Sequence, residues 1–187
     1  LELYWRLKLN VDLCEELGIS IYSFPMKYHP IRDEHSHDRD YIGKHWNRKY
    51  IRAVQAILNA TKGKIGRGVS FFEKAFGRNE DEFMELLIMP ETFLLFRFFF
   101  EHLGYTDKWR ADMACLTDEE RSIIMPIILK NKFTDIDNLD VNEKIKKVLS
   151  YYKNYRSEIA DSRSELYKLK RDFEKKKLGI LKIENWR

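Results

Sequence analysis

The chain has 187 residues, 44% hydrophobic and 34% charged, which supports one core with exposed helices around it. No apolar run approaches the ~18 residues of a membrane span. The formal charge of +4 is uneven: residues 141–187 carry 14 Lys and Arg against 7 Asp and Glu, so the basic surplus belongs to the C-terminal segment and the rest is acidic.

The expected elements begin with LELYWRLKLNVDLCEELG, residues 1–18, where Leu3, Leu7, Val11, Cys14 and Leu17 recur at helical spacing and Gly18 fits a left-handed helix end. ISIYSF, 19–24, reads as a buried strand that Pro25 stops. A helix, a glycine and an immediate strand make the second half of a βαβ unit. No strand of similar quality follows, so the partners of this one are expected upstream of Leu1. The chain starts in helical pattern without Met or a secretory leader, which suggests a piece of a longer polypeptide.

Residues 26–45 read as an irregular loop. WNRKYIRAVQAILNAT, 46–61, is an amphipathic helix with Trp46, Tyr50, Ala53, Val54, Ile57 and Leu58 on one face. GKIGRG is a flexible link. SFFEKAF, 70–76, is a short helix, with Ser70 and Glu73 at capping-box positions and Gly77 as its stop. Asn79 caps the next helix, whose first turn is acidic, and Pro90 ends it. PETFLLFRFFFEHLG is apolar around most of its circumference and reads as one helix in the middle of a bundle. Thr117 and Glu120 form a second capping box, and Pro126 is a break or kink. From 141 onward, Ile145, Tyr152, Ile159, Leu166 and Phe173 repeat every seven residues, with Val148, Tyr155 and Leu169 as a second set. This reads as one long helix or two collinear ones.

The chain divides into a helix–strand unit and its loop (1–40), a helical body (41–140) and a basic amphipathic segment (141–187).

Three clusters carry candidate chemistry. His29, Asp33, His35, His37, Asp38, Asp40 and His45 crowd one loop, and on an extended segment His35 and His37 would point the same way. Imidazole and carboxylate can hold a divalent metal, but the spacing fits no metal signature and Arg32, Arg39 and Lys44 would repel a cation, so no metal ligand is assigned. A solvated loop and a site for a polar or anionic ligand at the strand's carboxyl end are the other readings. Lys64 and Arg67 in GKIGRG could meet a phosphate, but the run lacks Walker spacing and reads as an interhelical loop. The tail lysines are interspersed with Glu158, Glu165, Asp172 and Glu174, which favours a solvated helix face over a nucleic-acid surface. Cys14 and Cys115, about a hundred residues apart, read as two buried reduced thiols of a cytoplasmic protein. No nucleophile motif, carboxylate pair or triad order specifies a reaction, and the catalytic residues are unknown.

Taken in order, YSFPMKY, YIG, WNRKY, IL-AT, FF-AFG and MPE resemble the C-terminal part of a group of radical S-adenosylmethionine (radical SAM) proteins, several of which carry a cobalamin-binding domain. The resemblance covers about residues 10–100. It implies a mainly α chain in which residues 1–24 close a partial (β/α) barrel whose other units lie before Leu1, followed by a helical extension. In the full protein a 4Fe-4S cluster would reductively cleave S-adenosylmethionine, with cobalamin as a further cofactor the group allows. The partner so implied is the N-terminal remainder of the same polypeptide, and the small-molecule substrate is unspecified. Tyr22, Ser23, Phe24 and Met26 would lie on the adenine side, and His29, Arg32, His35 and His37 on the substrate side. The diagnostic CxxxCxxC is absent here, so this chain would be inactive alone. The alternative is a free-standing helical binding or scaffold module that docks a partner, nucleic acid included, along 141–187.

Overall fold

The computed structural model describes residues 1–21, 25, 29–32, 34–63, 65, 68–134 and 136–184, with side chains as far as 177. Among these the chain is mainly α, with eleven helices, one 3-10 turn at Ile136–Asn138 and no strand. Ile19, Ser20 and Ile21 of the expected strand form no regular element, and its remaining residues, 22–24, lie outside the described part.

Helix α1 (Glu2–Leu17) buries Tyr4, Leu7 and Val11, one stripe at helical spacing, and ends at Gly18 with φ 63°. Helix α2 (Arg48–Thr61) starts two residues later than Trp46 suggests, because Asn47 Oδ1 accepts from Tyr50 N at 2.9 Å. It is the central helix: it packs on α3 (Val69–Phe76), α4 (Glu80–Ile88), α5 (Glu91–Leu95) and α8 (Asp118–Lys130), while α1 lies against α3. The link before α3 is anchored by Ile65, which is buried. Its Lys64 and Arg67 lie outside the described residues.

The expected Ser70–Glu73 capping box does not form. Gly68 is the N-cap of α3, and the Val69 N–H donates to Glu15 Oε1 of α1 at 2.9 Å, a cap supplied from 54 residues away. Gly77 ends α3 at φ 93°, where a Cβ would stand 2.8 Å from Glu82 Cβ and 2.9 Å from Phe83 N. Only glycine fits that turn. Its carbonyl accepts from Tyr4 OH at 3.3 Å, which ties α1 to the α3–α4 corner. Asn79 caps α4 as expected.

The expected continuous helix over 90–104 is two helices, α5 and α6 (Arg97–His102), broken at Phe96 with φ −119° and ψ 42°. The break turns Phe99 and Phe100 inward and Phe98 outward, and Arg97 reaches back to the Lys74 carbonyl. Helix α7 (Tyr105–Ala114) buries Thr106, Trp109 and Met113, a mixed set that apolar periodicity does not announce. In α8 the Thr117–Glu120 box forms, and the helix runs through Pro126 without ending.

The long C-terminal helix is also corrected. Three helices stand there: α9 (Glu143–Ser150), α10 (Arg156–Ala160) and α11 (Glu165–Glu184). Short polar side chains make the breaks by taking backbone N–H groups themselves: Asn154 from Arg156, Asp161 from Arg163 and Ser164 from Tyr167, all at 3.0–3.1 Å. The seven-residue set still faces inward, with Ile145, Tyr152, Ile159 and Leu166 buried and Phe173 half-buried. α9 packs on α7 and α8, and α10 on α11. No described helix is long and apolar enough to cross a membrane.

Candidate functional site

Tyr22, Ser23, Phe24 and Met26, the expected cofactor-side residues, lie outside the described residues, as does Asp33. His29, Arg32, His35 and His37 are described. The segment is folded into turns rather than extended: Asp38 N donates to His35 O at 3.0 Å and Tyr41 N to Asp38 O at 3.2 Å. The extended backbone on which His35 and His37 were expected to point the same way is therefore not formed there. His29 Nε2 meets Ser36 O at 2.7 Å, and the half-buried His35 ring lies 4.9 Å from that of Tyr41 and 3.4 Å from a Glu34 carboxylate oxygen. Arg32 and His37 are exposed. Among the described residues, no group of three or more His, Cys, Asp or Glu is arranged to hold a metal ion.

The cysteines depart from expectation. Cys14 is half-buried, its sulfur accepting from Ile21 N at 3.1 Å, which folds the residues after Gly18 back onto α1. Cys115 is exposed at the end of α7.

Polar residues converge at the α4–α5 joint. Met89 O and Ile88 O, at the C-terminal end of α4, would otherwise be orphaned. Lys49 Nζ of α2 donates to Met89 O at 2.5 Å, and Tyr152 OH donates to Ile88 O at 2.7 Å. A cation is favoured at a helix C-terminus. Beside them Glu91, in the first turn of α5, accepts from Arg52 at 2.6 and 3.1 Å and also pairs with Arg156. Burial pushes the Lys49 ammonium down to about 7, against the pull of Glu91 and with the help of Arg52. The same burial pushes the Tyr152 hydroxyl well above the usual tyrosine range.

Sequence reading passes over Lys49, although a signal exists. Lys49, Ala53 and Ile57 share one i, i+4, i+8 row, so a lysine stands in a buried stripe. The joint is structural: its polar atoms are satisfied by one another, and it links WNRKY to MPE.

Helix α1 has a second apolar surface. Leu1, Trp5, Leu9, Leu13 and Leu17 form an i+4 ridge on the side away from Tyr4, Leu7 and Val11. Trp5 is 49% exposed, Leu9 58% and Leu17 59%. The Glu2–Arg6 and Lys8–Asp12 pairs flank this ridge.

No family model, no curated protein and no solved structure matches this sequence.

Proposed function

We propose that this chain is the C-terminal part of a radical SAM enzyme: the helix–strand unit that closes the barrel, followed by a helical extension that braces it. The observation that carries the reading is the outward ridge of α1. A helix with one apolar stripe sunk in α3 and another held open is built for two layers, and a sheet of a (β/α) barrel supplies the second. The ordered runs from YSFPMKY to MPE support the same reading, and two of them, WNRKY and MPE, meet through Lys49 and Met89.

The residues present do not fit the cluster. Three thiolates are needed, and the two cysteines stand apart in the chain, Cys14 in α1 with its sulfur accepting from Ile21 N and Cys115 exposed just past α7. The cluster ligands, and with them the S-adenosylmethionine chemistry and any cobalamin, belong in this reading to the N-terminal remainder. This chain would contribute Tyr22, Ser23, Phe24 and Met26 toward the adenine, and the His29–His37 loop toward the substrate. Two unpaired cysteines suit a reducing, cytoplasmic setting.

The coding region upstream of Leu1 tests the proposal. A continuous frame encoding CxxxCxxC supports it. A frame that lacks the motif overturns it and leaves the helical binding module, for which α11 and its exposed lysines are the place to seek a partner.

A further inference from the structure

A groove of about 600 Å³ lies between α2, α3, the α5–α6 break and α11. That is within the ~300–1,000 Å³ of small-molecule sites. Phe71, Phe96, Phe98, Phe99 and Phe173 line its walls, and the buried Ile57 and Leu94 form part of its floor. Phe98 is 53% exposed, turned out by the break at Phe96. Exposed apolar surface of this kind, concave and continuous, is costly in water and marks binding sites.

The rim carries the opposite chemistry. Lys74, Arg97, Lys170 and Lys177 stand there against one carboxylate, Glu174. Two of these cations are matched: Arg97 Nε donates to Glu101 at 2.9 Å and Lys170 Nζ to Glu174 at 2.6 Å. Among the described residues neither Lys74 nor Lys177 meets a carboxylate. Lys177 Nζ lies 4.9 Å from the Phe98 ring centre, so an ammonium is held over the phenyl face at the groove mouth.

We infer that this groove binds an amphipathic monoanion of the fatty-acid class, with its acyl chain among the phenylalanines and its carboxylate at Lys74 and Lys177. The two unmatched ammonium groups set the sign of the head group, and the aromatic walls set the tail. A helical peptide, about 10–12 Å across, would outgrow the volume within two turns. The site is independent of the barrel reading, and neither depends on the other's outcome.

The test is isothermal titration of the chain with monomeric sodium dodecanoate, dodecyltrimethylammonium and acetate. One dodecanoate should bind per chain, about tenfold or more tighter than dodecyltrimethylammonium, with no heat from acetate. The Lys74→Gln, Lys177→Gln double variant should erase that preference, and Phe98→Glu should weaken dodecanoate about tenfold. All three side chains are exposed, so the circular dichroism spectrum should be unchanged. Absence of dodecanoate binding, equal affinity for both head groups, or an unaltered double variant would overturn the inference. Sedimentation with phosphatidylglycerol vesicles without binding of free dodecanoate would also overturn it, by assigning this face to a membrane surface.

Discussion

The Lys49 ammonium donates to Met89 O across 40 residues of sequence, from a position with no solvent exposure. This contact closes the C-terminal end of α4 with a side chain of α2. Because the Lys49 value, about 7, lies below that of an unfolded lysine, the unfolded chain binds more protons between about pH 7 and 10.5. Stability therefore rises with pH through that window. Below it both states are charged and the full burial cost is present.

Lys49→Met should remove this dependence. In urea unfolding the difference between variant and native chain should shift by about 2–3 kcal/mol between pH 6 and pH 9, with the native chain gaining at the higher pH. Parallel stability curves for the two proteins would show that Lys49 titrates as an ordinary lysine.

Gly77→Ala and Gly18→Ala make an informative pair. Both glycines have positive φ, but a Cβ at Gly18 meets nothing within 4 Å, whereas at Gly77 it strikes Glu82 and the Phe83 backbone. Gly18→Ala should cost about 1 kcal/mol, the left-handed penalty alone. Gly77→Ala should cost about 2–4 kcal/mol, since the α3–α4 corner must also move. Equal losses in chemical unfolding would mean that the corner yields freely.

Glu15→Ala removes the side-chain cap on Val69 N. A loss of about 0.5–2 kcal/mol is expected, the usual range for a cap. Amide exchange should quicken in the first turn of α3 and stay unchanged in α4. Unchanged exchange at Val69 would indicate that Gly68 alone starts the helix.

Much of this architecture can be read from residue patterns, and the failures share a cause. Caps within four residues of their targets, at Asn79 and Thr117, are local chemistry and are legible. The cap on Val69 comes from Glu15 of another helix, so the local capping box that Ser70 and Glu73 suggest does not form. The inward set Ile145, Tyr152, Ile159 and Leu166 is legible because burial follows period, but the breaks at Asn154 and Asp161 depend on side chain–backbone bonds that period does not report. Apolarity on all sides of 90–104 suggested burial on all sides. The break at Phe96 instead exposes Phe98 and opens a groove. The candidate site was the least legible part: the parallel aim of His35 and His37 assumed an extended segment, and turns from His35 to Tyr41 stand in its place.

The outward ridge of α1 gives a prediction of its own. Trp5→Glu with Leu9→Glu should change the stability of this chain by no more than about 0.5 kcal/mol per site, since both residues are exposed. In the longer protein of the barrel reading, the same pair would bury two carboxylates against a sheet and should cost several kcal/mol or prevent folding. Thermal unfolding of both lengths makes the comparison, and equal tolerance in the two would remove the second layer from the account.

The most direct test of the central claim is the iron content and visible spectrum of the longer frame, expressed and purified without oxygen. The account predicts about four irons per chain and a broad visible absorption that bleaches on reduction, both lost when the upstream cysteines are changed to alanine. A longer protein that folds, binds no iron and shows no visible band would contradict it.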